Sequence, residues 1–228
     1  MTTLVALLGH PVEHSLSPRM QNAAFAARGL DWAYVALDVP PEHLEDAVRG
    51  LAALGFAGAN VTAPHKLAVA RIVGSELPSV NTLVGMEGFS TDTAILDGLA
   101  FERPVILGDG GAAAAFRHAL PQARVFSRKG EWPPDVRDAD LVIHATPVRD
   151  EVLAELRAGQ TLIDLPYPRT ATAEAAEAAG ARVLDGLEVL VAQGAASFEL
   201  WTGVPAPAAV MRRALGLPEG SPRSGGAE

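Results

Sequence analysis

The sequence predicts an α/β protein made of two successive α/β stretches. Three observations carry that prediction. Apolar runs of strand length alternate with amphipathic stretches of helix length, the series restarts at Pro104, and after Leu187 only helical patterning remains. In the first stretch, strand 3–8 precedes helix 18–28, strand 33–37 precedes helix 41–53, and strand 57–61 precedes helix 67–73. Strand–helix–strand succession of this kind implies mostly parallel sheets with helices on their faces. In the second stretch the candidate strands are 105–107, 124–126, 141–144, 161–163 and 182–184, with Ala-rich helices between them. Helices 187–201 and 205–215 follow, and 218–228, rich in Pro, Gly and Ser, reads as a disordered tail.

A chain of 228 residues can bury a core in one large or two small domains without disulfide or metal staples. Eighteen Lys and Arg against 27 Asp and Glu leave a net charge of −9, and there are only three Trp and two Tyr. That balance excludes a nucleic-acid or anionic-membrane surface and points to a small-molecule partner. With no Cys there is no disulfide, thiolate nucleophile or Cys-ligated zinc, and the six His lack metal-site spacing, so no metal is expected. The N-terminal run lacks the basic start of a signal peptide, and no apolar stretch reaches spanning length, so the expected location is the cytoplasm. Charge is unevenly spread: residues 104–149 balance to +1 and the rest carries −10, so that segment is least hostile to an anionic ligand.

Within it, strand 105–107 runs into Gly108-Asp109-Gly110-Gly111-Ala112-Ala113. The spacing Gly108-x-Gly110-x-x-Ala113 fits the dinucleotide fingerprint, in which bare backbone approaches a pyrophosphate at a helix N-terminus. Gly108, Gly110, Gly111 and Ala112 are the candidate contacts, and the other reading is a glycine turn needed only for strand–helix packing. The next strand ends in Ser127-Arg128-Lys129, where an NAD-selective site carries an acid for the ribose hydroxyls. Cations at Arg128 and Lys129 favour a 2′-phosphate, hence NADP, unless they are two solvated surface charges. Asp109 would repel a pyrophosphate unless it points to solvent or caps the helix at Ala112 or Ala113. Residues 130–140, with Pro133-Pro134, have no room for a helix plus a strand, so this is a trimmed Rossmann domain.

The first stretch carries a second constellation. Alternation along strand 57–61 points Asn60 and Thr62 to one side, placing an amide and a hydroxyl at a strand's C-terminal end. Such groups suit a polyol. Asn60 and Asn81 could equally be structural turn residues, and Ser15 and Ser17 could cap the helix that follows Pro18. Lys66 stands out because the chain has sixteen Arg and only two Lys. Arginine cannot release a proton near neutral pH whereas a lysine of lowered pKa can, which is what a proton-transfer role requires; the alternative is an incidental surface Lys. Asp92 precedes an expected helix at 93–99 and could be its N-cap. His65 reads as structural or rim, and His14 as a loop-organising hydrogen-bonder.

Gly9-His10-Pro11-Val12-Glu13-His14-Ser15-Leu16-Ser17-Pro18-Arg19-Met20-Gln21-Asn22-Ala23-Ala24-Phe25 resembles the opening motif of the shikimate dehydrogenase family. It is followed in family order by Asn60-Val61-Thr62-Ala63-Pro64-His65-Lys66, Ser79-Val80-Asn81-Thr82, Ser90-Thr91-Asp92, the glycine turn, Ala145-Thr146-Pro147, Asp164-Leu165-Pro166-Tyr167, and Gly186 to Gln193. The resemblance implies two α/β domains flanking a cleft. A discontinuous substrate domain would comprise 1–98 and 186–228, and a Rossmann-like NADP domain with a parallel sheet 99–185. It implies reversible NADPH-dependent reduction of 3-dehydroshikimate to shikimate on the way to chorismate and the aromatic amino acids, by a monomer or homodimer. By the same resemblance Asp92 partners Lys66, the catalytic proton donor. Ser15, Ser17 and Tyr167 bind the substrate carboxylate, although Tyr167 could also be an interface residue. Asn60, Thr62, Asn81, Asp92 and Gln193 grip the ring hydroxyls, and Thr146 joins the cofactor contacts.

Departures from the family pattern lie on the cofactor side: Asp109 for the usual Ala, Ser127 for Asn, Ser90 for the Asn of Asn-Thr-Asp, His144 for Asn, and a short segment between Asp92 and Val105. Two other readings follow from them, a shikimate-binding homologue without effective NADPH binding and a quinate/shikimate dehydrogenase using NAD.

Overall fold

The computed structural model describes residues 1–218, so all but the first residue of the expected tail lies outside the described residues. In chain order the elements are β1 (Thr3–Gly9), α1 (Ser17–Ala27), β2 (Trp32–Asp38), α2 (Leu44–Ala53), β3 (Gly58–Val61), α3 (Lys66–Ile72), β4 (Thr82–Val84), β5 (Glu87–Phe89), β6 (Pro104–Leu107), α4 (Gly111–Ala119), β7 (Arg124–Phe126), β8 (Leu141–His144), β9 (Thr161–Asp164), α5 (Ala171–Ala178), β10 (Arg182–Leu184), α6 (Gly186–Thr202) and α7 (Ala208–Ala214). The chain forms two compact units, Met1–Thr91 together with the chain from Leu190, and Asp92–Val189. None of the described helices is long and apolar enough to cross a membrane.

The first unit holds a five-stranded sheet in the order β2-β1-β3-β4-β5. Strand β1 is buried from Val5 to Gly9, which is why it reads as an unbroken apolar run: a strand flanked on both sides and covered on both faces has no polar face. Its parallel registers, Gly9 with Asp38 and Leu8 with Val61, bring the C-terminal ends of β1, β2 and β3 to one edge. One layer of the core joins Ala6, Leu8, Val48, Leu51, Val61 and Val69 of the sheet, α2 and α3. Elsewhere Phe25 of α1 stacks on Phe198 of α6 with ring centroids 5.3 Å apart, and the Trp201 indole N–H donates to the Leu83 carbonyl at 2.9 Å. The last two strands depart from the parallel expectation. Strands β4 and β5 form an antiparallel hairpin through a two-residue loop, and β4 pairs antiparallel with β3, so this sheet is mixed.

The second unit holds a fully parallel sheet in the order β10-β9-β8-β6-β7. Chain direction across the sheet reverses between β6 and β8, a topological switch point, and ligands of open α/β sheets bind outside the strand C-termini at such a point. The register aligns Leu107, Phe126, His144 and Asp164 along that edge.

Two of the four links between these strands hold no helix, the first as the lack of room at residues 130–140 predicts and the second against expectation. Residues 127–140 contain the Pro133-Pro134 pair and are turns and irregular chain. Residues 145–160 include the helix-favouring string Glu151-Val152-Leu153-Ala154-Glu155-Leu156, yet form no helix. Tertiary context overrides propensity there: Leu153, Ala154 and Leu156 are all buried in the unit's core, and the Leu153 N–H donates to the Thr172 hydroxyl at 3.0 Å. The helix expected at 93–99 is instead a short 3₁₀ turn, Asp92–Leu96, so Asp92 is its first residue rather than an N-cap.

Candidate active site

The first unit's C-terminal strand edge gathers a buried cluster of amides and hydroxyls. Asn60, at the penultimate position of β3, donates from its amide to the Ser197 hydroxyl (2.9 Å), the Thr82 hydroxyl (3.0 Å) and the Asn81 carbonyl (3.2 Å), while its amide oxygen accepts from the Tyr34 hydroxyl at 2.9 Å. Asn81 donates to the Thr91 hydroxyl and to the Gln193 side-chain oxygen, both at 3.0 Å, and accepts the Thr91 backbone N–H at 2.6 Å. Thr82, Thr91 and Ser197 complete the cluster through mutual hydroxyl contacts of 2.9–3.1 Å. Buried amides satisfied in this way have fixed orientations, because each alternative rotamer orphans several groups.

Around this cluster the backbone places the remaining candidates. Lys66 opens α3, and its carbonyl accepts the Val80 N–H at 3.1 Å, tying the start of that helix to the residue before Asn81. His65 is buried with Nε2 2.7 Å from the Val39 carbonyl, which makes it structural. Thr62 is half-buried over Gly9. A Cβ on Gly9 would come within 2.3 Å of the Thr62 methyl group, so only glycine lets the end of β1 pass beneath it. From there the chain runs to Ser15, whose hydroxyl accepts the N–H of buried Ser17 at 3.3 Å; neither hydroxyl caps α1. One turn into α1, the Gln21 amide donates to the Gly194 carbonyl at 2.9 Å, fixing that helix against the segment of α6 that carries Gln193. Asp92 is buried and directly follows Thr91, so the hold of Asn81 on Thr91 sets where the chain enters it.

In the second unit the glycine turn lies at the switch point. Gly108 adopts φ 126°, and a Cβ there would approach the Ala145 carbonyl oxygen to 2.7 Å, so glycine is needed twice over. Helix α4 starts at Gly111 with Gly110 as its N-cap and no side-chain cap, and the space where a Gly110 side chain would stand is open. The peptide N–H groups of Gly111 and Ala112 head that helix, a donor set that suits a pyrophosphate. Asp109 neither caps the helix nor stands alone: its carboxylate pairs with Lys129 at 3.1 Å. Arg128 pairs with Glu151, and its guanidinium lies 5.7 Å from the centroid of the Trp132 ring. Thr146, after β8, is 2.7 Å from Nε2 of buried His144, whose Nδ1 donates to buried Asp164 at 2.7 Å. Tyr167 is half-buried in the loop after β9.

The structure thus joins Asn60, Asn81 and Gln193 directly. Thr62, Ser15, Ser17 and Lys66 stand on the elements and loops around the same strand edge, and Gly108, Gly110, Gly111, Ala112, Arg128, Lys129 and Thr146 belong to the second unit. Sequence reasoning passed over Tyr34, Thr82, Thr91, Ser197 and Glu151. A signal existed for three of these: Thr82 and Thr91 sit inside the motifs that hold Asn81 and Asp92, and Ser197 lies one helical turn beyond Gln193.

A glycine turn leading into a helix at the switch point of a parallel sheet, joined in one chain to a second α/β unit with a hydroxyl- and amide-rich strand edge, defines the class of two-unit nucleotide-dependent α/β proteins. Comparison with known proteins narrows the class. The shikimate dehydrogenase substrate binding domain matches residues 7–82, and the Shikimate 5'-dehydrogenase C-terminal domain matches residues 186–215. A relative from Methanopyrus kandleri named shikimate dehydrogenase (NADP(+)) is 41% identical, with 94% of this chain and 95% of that protein covered. Its alignment runs over 276 positions, more than this chain's 228 residues. Crystal structures of shikimate dehydrogenase from Aquifex aeolicus (29% identity, TM-score 0.83, 94% and 97% coverage) and from Thermus thermophilus in complex with NADP(H) and shikimate (30%, 0.78, 93% and 98%) are also similar. The chain belongs to the shikimate dehydrogenase family.

Proposed function

We propose that this chain catalyses the reversible NADPH-dependent reduction of 3-dehydroshikimate to shikimate, in the cytoplasm and as a step toward chorismate and the aromatic amino acids. The observation that carries this reading is the 41% identity, running through both units, to a relative named for that activity. A monomer or a homodimer suffices, since every residue assigned below belongs to one chain.

NADPH, when bound, supplies the hydride for the ketone carbon. The oxygen then needs a proton, and Lys66 donates it from Nζ; in the oxidation direction the neutral amine takes the proton from the shikimate hydroxyl. Asp92 accepts a hydrogen bond from the substrate hydroxyl and orients the Lys66 ammonium toward it. The hydroxyls of Ser15, Ser17 and Tyr167 are assigned to the substrate carboxylate, and Thr62, Asn81 and Gln193 to the ring hydroxyls. Asn60 is assigned to the ring hydroxyls with them, and its bonds to Asn81, Thr82 and Ser197 fix its orientation. The backbone of Gly108, Gly110, Gly111 and Ala112 approaches the pyrophosphate, Thr146 lines the same turn, and Arg128 with Lys129 meets the 2′-phosphate.

Lys66→Ala tests the reading. The expected result is a kcat lowered by about 10²–10⁴ with the shikimate Kd within several-fold of wild type. Unchanged turnover removes Lys66 from the chemistry.

A further inference from the structure

We infer that Glu151 and Asp109 determine cofactor specificity in this chain, by neutralising the two cations that the proposed function gives to the 2′-phosphate. The inference rests on that reading of Arg128 and Lys129. Each cation has its own carboxylate: Arg128 is held by Glu151, and Lys129 lies 3.1 Å from Asp109. The four charges sum to zero, so a 2′-phosphate arriving there meets no net positive field.

Glu151 is anchored rather than loose. Its carbonyl accepts the Thr172 hydroxyl at 3.2 Å, and the same hydroxyl accepts the Leu153 N–H at 3.0 Å, tying the segment to the first turn of α5. The guanidinium of Arg128 is therefore bounded by the Trp132 ring and by a carboxylate whose backbone is fixed. A phosphate carrying close to two negative charges must share Arg128 with Glu151, and repulsion between anions a few ångströms apart weakens NADP specifically. NAD offers only a 2′-hydroxyl, which a carboxylate tolerates or accepts from. Asp109 acts more broadly, because it also sits in the glycine turn that approaches the pyrophosphate common to both cofactors.

Titration calorimetry on the full chain, without shikimate, tests this with NADP⁺, NAD⁺ and adenosine 2′,5′-bisphosphate as ligands. Glu151→Gln should tighten NADP⁺ and the bisphosphate about three- to tenfold and change NAD⁺ less than about twofold, the gain shrinking as salt rises. Asp109→Ala should tighten both dinucleotides, NADP⁺ more than NAD⁺. NADP⁺ binding unchanged or weakened in Glu151→Gln, with an unaltered melting temperature, overturns the inference. The double variant Arg128→Ala/Lys129→Ala separates the two levels. If it weakens NADP⁺ while Glu151→Gln does nothing, only the counterweight role falls; if it leaves NADP⁺ untouched, the 2′-phosphate assignment itself is wrong.

Discussion

In the first unit Asn60, Asn81, Thr82, Thr91 and Ser197 are all buried and bonded chiefly to one another, whereas in the second Arg128, Lys129, Asp109 and Glu151 are 46–84% exposed and meet their partners in ion pairs. The physics of the two arrangements differs. A buried amide that loses a partner leaves an unsolvated polar group behind, so each member of the first cluster enforces the positions of the others. Exposed ion pairs are screened by water and salt and contribute little to stability, so they can be altered without cost to the fold. On the proposed function, recognition of a polyol then rests on the fold of the first unit, and discrimination between cofactors on replaceable surface charges in the second.

Substitutions at both places can break or sharpen that contrast. The largest effect is expected for Asn60→Ala, which removes bonds to Tyr34, Thr82 and Ser197 and should cost about 2–4 kcal/mol in the unfolding transition of the first unit, measured by urea denaturation. A loss below about 0.5 kcal/mol would mean that the cluster does not hold that strand edge together. Gly108→Ala should cost about 2 kcal/mol, since it combines a left-handed φ with a backbone clash at Ala145, and it should weaken both dinucleotides in parallel. Arg128→Ala/Lys129→Ala should shift unfolding by less than about 0.5 kcal/mol despite removing two ion pairs; a shift as large as that of Asn60→Ala would erase the contrast.

The smallest effect is expected at Asp135, where the hydrogen bond from the Arg137 side chain holds the carboxyl well below the usual carboxylate range. A carboxyl depressed in the folded state stabilises it above the unfolded pKa, about 4, and loses that contribution as pH falls toward the folded value. Asp135→Asn should therefore lower the melting temperature slightly at pH 7, with the deficit shrinking below pH 4. A deficit independent of pH would assign the loss to packing.

Strands were legible where burial on both faces made an apolar run, as in Thr3–Gly9 and Leu141–His144. The glycine turn was legible because backbone geometry restricts residue choice. The hairpin of Thr82–Val84 with Glu87–Phe89 was not, because three-residue strands are too short to show alternation. Nor was the irregular course of residues 151–156, whose local preference is helical and whose conformation is set by burial of Leu153 and Leu156. In the site, Asn60, Asn81 and Gln193 carried motif signals, while Tyr34 and Ser197 reach Asn60 from 26 and 137 positions away, a proximity created by the pairing of β2 and β3 with β1 and by the packing of α6. Glu151 escaped notice because its meaning depends on Arg128, 23 positions earlier, with strand β8 between them in the chain.

The central claim is hydride exchange between shikimate and NADP at this chain. Absorbance at the reduced-nicotinamide band, followed with shikimate plus NADP⁺, then with NAD⁺, then with quinate replacing shikimate, measures it directly. The account predicts a rise with shikimate and NADP⁺ that exceeds the rise in either substituted mixture. Shikimate binding with no reduced nicotinamide formed from either cofactor would contradict it.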